Sequence, residues 1–460
     1  MYSLDDTITA ISSPIGEGGI GIVKMSGPEV LLTLQKVFLP SRARPEGDGP
    51  WQPVSHHLYH GHIVDPESQE VVDEVLVSYM KAPRTYTRQD VVEINCHGGI
   101  VPLRRVLELT LRQGARLASP GEMTLRAFVL GRLDLAQAEA VLDVVRAKTE
   151  AGLRVAVEQL GGHLSQEIRG VRAQLVDTLA YLEATIDFTE DEIPERDITV
   201  PLQEAAGAIK ELLQGADRGM IYRQGIRAAI VGRPNVGKSS LLNRLLRTAR
   251  AIVTPIPGTT RDTLEETINL QGIPLTLVDT AGIAESEDLV EKLGIERSRE
   301  ALSRADLALM TVDVSEPLQE ADSQIAELIG GKPAILVANK IDLPQLASLD
   351  DLLPGVRRVR VSALTGEGLE ELEEAMVEAV FSGKVTASDV PLVTNPRHKQ
   401  ALHEALEHAE AAVEASTSDT PVDLIAIDVT AAVNALGEIT GETATEDLLE
   451  IIFSEFCVGK

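Results

Sequence analysis

The sequence predicts an α/β plus α protein. An N-terminal α/β domain spans residues 1–120, helices over 121–222 resume over 384–460, and an α/β domain with a mostly parallel sheet is inserted over 223–383. Three observations carry this. Strand-like apolar runs alternate with helical stretches between residues 225 and 380, the pattern of a parallel sheet covered on both faces. Residues 121–193 contain no proline, and Leu133–Leu182 is dominated by good helix formers. The 460-residue chain is too long for one core, and its 44% hydrophobic content suffices for several.

In the first domain Ile20–Met25, Val75–Met80 and Val91–Ile94 read as strands, and Pro102–Leu111 as a helix. Arg42–Pro53, rich in Pro and Gly, reads as a loop. In the helical stretch Leu135, Ala138, Val141, Leu142 and Val145 recur at helical spacing. The inserted domain offers strands at Ile226–Val231, Leu275–Asp279, Leu307–Asp313, Ala334–Asn339 and Val356–Val361. Its helices read as Ser239–Leu246, Leu289–Leu302, Gln319–Ile329 and Gly368–Val380. The tail is helical over Arg397–Ala415, Val422–Leu436 and Thr445–Phe456, with Thr443 and Glu446 at capping-box spacing.

A net charge of −29 repels nucleic acid on average, so any RNA contact needs a local basic patch or a partner. Arg104, Arg105, Arg112, Arg116, Arg126 and Arg132 stand against only Glu108 and Glu122. They form either such a patch or an ordinary solvated helix face. The two cysteines, Cys96 and Cys457, have no zinc spacing. MYSLDDTITA lacks a signal-peptide pattern, and no apolar run reaches 18 residues, so a cytoplasmic protein without a membrane span is expected.

The chemistry sits in the inserted domain. Gly232-Arg233-Pro234-Asn235-Val236-Gly237-Lys238-Ser239 fits G-x-x-x-x-G-K-[ST] between a strand and a helix. Such a loop turns its N–H groups around phosphates, and a helix N-terminus adds positive potential. Asn235, Val236, Gly237, Lys238, Ser239 and Ser240 are therefore expected to contact a nucleotide, Lys238 at the β and γ phosphates and Ser239 at Mg²⁺. Asp279, Thr280, Ala281 and Gly282 form a D-x-x-G at a strand end, where a carboxylate can hold Mg²⁺ through water and Gly282 can offer its N–H to the γ-phosphate. Asn339, Lys340 and Asp342 form N-K-x-D: one carboxylate accepts both guanine donors, a pair adenine lacks. Ser362 and Ala363 are expected to brace the guanine carbonyl through backbone N–H. GTP binding with hydrolysis follows as the expected activity.

Ile283 stands where related enzymes place a water-orienting Gln, and it can orient no water. Glu285, Glu287, Asp288, Glu291 and Glu296 are the carboxylates that could replace it. No arginine finger is evident. Asn235 is either a ligand for a monovalent cation or a loop-shaping residue.

On these residues the chain resembles the MnmE (TrmE) family of tRNA uridine-modification GTPases. The likeness runs from Thr7 to Lys460 through Gly18-Gly19-Ile20-Gly21, Cys96-His97-Gly98-Gly99, Pro120-Gly121-Glu122, Leu133-Asp134-Leu135-Ala136-Gln137-Ala138-Glu139-Ala140, Pro257-Gly258-Thr259-Thr260-Arg261-Asp262 and Phe456-Cys457-Val458-Gly459-Lys460. The resemblance implies a Ras-like P-loop GTPase domain and an N-terminal domain that binds tetrahydrofolate and forms a homodimer. It implies K⁺ at Asn235, Thr254, Ile256 and Thr259, Mg²⁺ at Ser239 and Thr260, and GTP contacts that also include Pro255, Pro257 and Gly258. It selects Glu291 as the catalytic glutamate, and Lys24, Glu93, Arg132 and Lys460 as folate contacts. Lys24 and Arg132 are conservative departures, the family more often carrying Arg and Lys there. Cys457 is implied in the modification chemistry, against a reading as a small packed residue. The implied partners are tRNA and an FAD-dependent MnmG (GidA)-like protein in a heterotetramer. Together they would add an aminomethyl or carboxymethylaminomethyl group to the wobble uridine. A ribosome-assembly or regulatory GTPase switch uses the same G-domain motifs and is the alternative.

Overall fold

The computed structural model describes residues 4–41, 51–188, 194, 196–248, 265–279, 298–381, 393–418 and 420–460. The fold is α/β plus α. It divides into two compact units, one of Met1–Leu142 with Asn434–Lys460, the other of Asp143–Val433.

The first unit is built on a seven-stranded sheet in the order β3-β4-β5-β6-β2-β1-β7. Its strands are β1 (Ile8–Ile11), β2 (Gly18–Ser26), β3 (Phe38–Pro40), β4 (His57–Val64), β5 (Val71–Met80), β6 (Val91–Gly98) and β7 (Arg116–Leu117). All pairings are antiparallel except β1 with β7. The sequence points to three of these strands. It hides β4, whose HLYHGHIV is too polar to read as an apolar run, and β1, β3 and β7, which are too short. The helices Val30–Val37 and Ile100–Arg112 bury Val30, Leu34, Leu103, Val106 and Leu109 with Val23, Met25, Val77, Val92 and Ile94 of the strands. Alternation along β5 and β6 sends every second side chain to that core.

The C-terminus belongs to the same unit. The helix Glu446–Ser454 brings Ile452, Phe453 and, just beyond it, Phe456 onto Leu125, Leu135 and Leu142. Its N-cap is Thr445, whose hydroxyl accepts the Leu448 N–H, and not the Thr443 that the capping-box spacing suggests. Thr443 instead donates to the Asn434 carbonyl at 2.8 Å. Beyond the helix, Val458 bridges Pro120, and the Met123 N–H reaches the Lys460 carbonyl. Gly459 makes this return possible: its φ is +96°, and a Cβ there would lie 2.5 Å from the Ile11 carbonyl oxygen.

The second unit holds a six-stranded sheet in the order β13-β12-β11-β8-β10-β9. Its strands are β8 (Ile226–Val231), β9 (Glu265–Leu270), β10 (Ile273–Asp279), β11 (Leu307–Asp313), β12 (Ala334–Asn339) and β13 (Arg357–Val361). All are parallel except β9, which pairs antiparallel with β10 at the edge. The sequence reading lacks β9. It is joined to β10 by Gln271 and Gly272, both at positive φ, a two-residue hairpin turn. One face of the sheet is covered by the helices Lys238–Thr248 and Leu369–Phe381. The other is covered by the helix Glu320–Ile329 and a helical stretch over 298–304. Of the expected helix Leu289–Leu302, residues 289–297 lie outside the described residues.

Around this sheet the unit carries the helices Glu150–Leu160, His163–Asp187, Thr199–Gln214, Ala216–Gln224 and Pro396–Ser416. Thr199–Gln214 and Pro396–Ser416 pack side by side. Their buried residues are largely alanine, Ala205 and Ala206 on one and Ala401, Ala405, Ala409 and Ala412 on the other, which lets the two backbones approach. No described helix is long and apolar enough to cross a membrane.

Candidate functional site

The strand order puts β8 between β10 and β11, with the chain leaving β8 first toward one neighbour and later returning on the other side. The crevice at the carboxyl ends of such strands is where open α/β sheets place ligands. The phosphate loop follows β8, Asn339 ends β12, and Ser362 follows β13. All three motifs therefore come to one edge.

In the loop Asn235 takes φ +64°, and the side chain of Val236 is buried beneath it. Gly237 has φ +96°, and a Cβ there would meet the Asn339 amide nitrogen at 2.3 Å. A glycine is needed because the base-side asparagine passes over it. Lys238 opens the helix Lys238–Thr248 and reaches back, donating from Nζ to the carbonyls of Gly232 (2.8 Å) and Arg233 (2.7 Å). The ammonium thus lies across the loop, beside N–H groups that open a helix, as a phosphate-binding lysine should. Asn235, Ser239 and Ser240 are exposed at the same end.

The base side is held by side chains. Asn339 is buried; its Nδ2 donates to the Val236 carbonyl at 2.8 Å, and its Oδ1 accepts the Ala363 N–H at 3.0 Å. One amide thereby ties the phosphate loop to the loop after β13. The Ala363 N–H, expected to face the guanine carbonyl, is engaged by this bond, and the Ser362 N–H donates to the Glu367 carbonyl. Asp342 is exposed, and its Oδ1 accepts from the Ser362 hydroxyl at 2.6 Å, which fixes the carboxylate. Lys340 takes φ +66° and places Nζ 2.5 Å from Asp313 at the end of β11. Burial pushes the Asp313 carboxyl up, but the Lys340 and Ser315 hydrogen bonds outweigh it and hold the group below the usual carboxylate range. Asp313 is a support that the sequence reading did not select; its signal is an acid closing an otherwise apolar strand.

Thr254, Pro255, Ile256, Pro257, Gly258, Thr259, Thr260, Thr280, Ala281, Gly282 and Glu291 lie outside the described residues. The backbone of Asp279 pairs with Ile230 at the end of β10.

A second cluster lies in the first unit. Lys24 and Glu93 are cross-strand partners on β2 and β6, with their charged ends 3.0 Å apart. The Lys24 ammonium is 5.8 Å from the centre of the Tyr86 ring, and the Arg132 guanidinium is 4.8 Å from it. Arg132 also donates to the Tyr86 carbonyl at 3.2 Å. Lys460 is near enough to Lys24 to feel its charge; burial lowers its pKa, the Cys457 thiol opposes this, and Lys24 lowers it further. The fold thus brings Lys24 and Arg132 to one aromatic ring, with Glu93 paired to Lys24 and Lys460 within electrostatic range of Lys24. The Tyr86 hydroxyl pairs with Thr124 at 2.9 Å, which sets the ring's tilt. Sequence reasoning missed Tyr86, an aromatic residue in a polar loop with no periodicity to mark it. Cys457 is exposed rather than packed, whereas Cys96 is buried and its thiol is pushed up to about 11 by burial and Asp73.

Four of the six arginines of the arginine-rich stretch face acids, and exposed Arg104 is not among them. Arg105 lies 3.9 Å from Glu70, Arg112 pairs with Asp65 at 3.0 Å, and Arg116 and Arg126 share Asp6 and the buried Glu122.

Residues 7–132 match the family described as GTP-binding protein TrmE N-terminus, and residues 135–457 match the MnmE helical domain. The tRNA modification GTPase MnmE of Alkaliphilus oremlandii is 49% identical over 466 residues, covering 100% of this chain and 100% of that protein. The MnmE of Roseiflexus sp. is 51% identical over 467 residues, with 99% of each covered. That of Bacillus licheniformis is 48% identical over 462 residues, covering 99% of this chain and all of its own length, 100%.

Proposed function

The chain belongs to the MnmE family of tRNA modification GTPases, and from that premise we propose how its two clusters divide the work. It is a GTP hydrolase: water attacks the γ-phosphorus, the bond to the β–γ bridging oxygen breaks, and GDP and phosphate leave. Lys238 and the loop N–H groups hold the β and γ phosphates. Ser239, exposed at the helix start, and Thr260 would hold Mg²⁺, which draws charge from the phosphate oxygens. Asp279 would help to hold that ion, and Gly282 would offer its N–H to the γ-phosphate. Glu291 orients the attacking water in place of the glutamine that Ile283 replaces. Asn235, Thr254, Ile256 and Thr259 would hold K⁺ beside the phosphates, where no arginine finger is evident; Asn235 is exposed at the loop's outer turn.

The observation that carries the GTP reading is the Asn339 amide bridging both loops while Ser362 aims the Asp342 carboxylate. Two guanine N–H donors match that carboxylate, a pair that adenine lacks. In the first unit, Lys24, Arg132 and Lys460 suit the carboxylates of a reduced folate, Glu93 suits its ring N–H donors, and Tyr86 offers a stacking face. The chain would act as a homodimer, with an FAD-dependent partner, on the wobble uridine of tRNA in the cytoplasm, and the exposed Cys457 would serve the modification chemistry. An acidic chain in which four of the six arginines between Arg104 and Arg132 are paired favours leaving tRNA contact largely to the partner.

Titration of the purified chain with fluorescent GTP and ATP tests the base assignment, and turnover in KCl against NaCl tests the cation. Guanine preference and faster turnover in KCl are expected. Equal affinity for the two nucleotides sinks the first, and equal rates sink the second.

A further inference from the structure

The phosphate loop carries a cation that the nucleotide chemistry does not use. Arg233 is only 8% exposed, and its Nε donates to Asp322 Oδ2 at 2.8 Å. Asp322 is fully buried in the first turn of the helix Glu320–Ile329, where the same oxygen accepts the Gln319 N–H at 3.0 Å. Its other oxygen has no hydrogen-bond partner among the described residues. A buried ion pair of this kind is a poor stabiliser, because desolvation of both charges offsets their attraction. Asp322 also caps its helix through the Gln319 N–H, but that contact does not require the arginine.

The backbone shows what the pair holds. The Arg233 carbonyl accepts the Lys238 ammonium at 2.7 Å, so one residue grips the helix with its side chain and the phosphate lysine with its main chain. On the far side of the loop Val236 is held by Asn339. Pro234 and Asn235 overhang, exposed, between these two anchors, and Pro234 has no N–H with which to fix itself. A displacement of Arg233 therefore moves both the overhang and the lysine.

We propose that Arg233 and Asp322 form a strut that positions the phosphate loop for nucleotide, which makes Arg233 a positioning residue for GTP; this rests on the GTP reading of the same site. The test uses the full-length chain, with fluorescent GTP titration beside thermal unfolding. The double variant Arg233→Met/Asp322→Leu replaces the pair by apolar side chains and is expected to unfold only slightly below the wild-type temperature, because it also loses the cap contact to the Gln319 N–H. It should nevertheless bind GTP about 10- to 100-fold more weakly while keeping its guanine preference, since the loop and not the base side is disturbed. A merely structural pair would recover affinity along with stability. Arg233→Lys keeps charge and stem but loses the Nε geometry, and decides the matter should the double variant fold poorly. Severalfold weaker GTP binding at an unchanged unfolding temperature supports the strut, and wild-type affinity in either folded variant overturns it. The wild-type control separates the two readings: no guanine preference there sinks the nucleotide site and the strut together, whereas GTP-binding wild type matched by its variants sinks the strut alone.

Discussion

The nucleotide pocket and the cluster around Tyr86 are assembled in opposite ways. The first takes contiguous motifs, each a few residues long, and lets a parallel sheet deliver them to one edge. The second takes single residues from β2, β6, the segment after Glu122–Val129 and the C-terminus, and none has a motif of its own chemistry. Phosphate binding uses backbone N–H groups, and a backbone conformation needs a local sequence with its glycines. A charge cluster needs only side chains that meet, from any part of the chain.

Five measurements probe that contrast, beginning with the largest effect. Glu291→Ala should lower kcat by about 10²- to 10⁴-fold in single-turnover assays and leave GTP affinity nearly unchanged, because the residue acts on water and not on bound nucleotide. Weak binding with normal turnover would contradict that role. Asp342→Asn should weaken GTP by about 100-fold and strengthen xanthosine triphosphate, because an amide cannot accept both guanine donors but its N–H can donate to the xanthine C2 carbonyl. Calorimetric titration reads this, and an unchanged GTP affinity breaks the base assignment.

The dispersed cluster should respond more gently, each residue sharing its load. Tyr86→Leu should reduce reduced-folate affinity by about 10-fold, in keeping with a lost stacking face of ~1 kcal/mol. GTP turnover serves as the unaffected control. Smaller still is a pH effect at Lys460. Burial lowers its pKa, so its ammonium loses the proton earlier than a free lysine as pH rises. Folate affinity should therefore decline from neutral to alkaline pH, and Lys460→Arg, which keeps its charge, should flatten that decline. Parallel profiles would remove Lys460 from the binding charge. Smallest is Thr445→Ala, which strips the N-cap from the helix carrying Phe453. About 1 kcal/mol of stability should be lost, read as a lower unfolding temperature.

The same contrast explains what was legible. The alternation of β8 and β10 to β12 with helices stands in the sequence because strands buried on both faces are nearly continuous apolar runs, and the edge strand β13, RRVRV, shows instead the alternation of a strand buried on one face. β4 does not, because its core-facing positions are filled by Gly61 and Ile63 and its other face carries His60 and His62. The edge strand β9 escaped for a similar reason: EETINL alternates too weakly to stand out beside β10. Likewise Thr443 and Glu446 have the right spacing for a cap, but the backbone enters the helix two residues later, at Thr445.

By itself the sequence determined the parallel sheet, the phosphate loop and the guanine selector, since each depends on residues adjacent in the chain and on local backbone geometry. Only the tertiary structure decided that Asn339 clasps two loops, that Arg233 is buried against Asp322, and that Lys24, paired with Glu93, meets Arg132 at Tyr86. Those contacts join positions far apart in the chain, and a charge reveals its partner only once folding has removed the water between them.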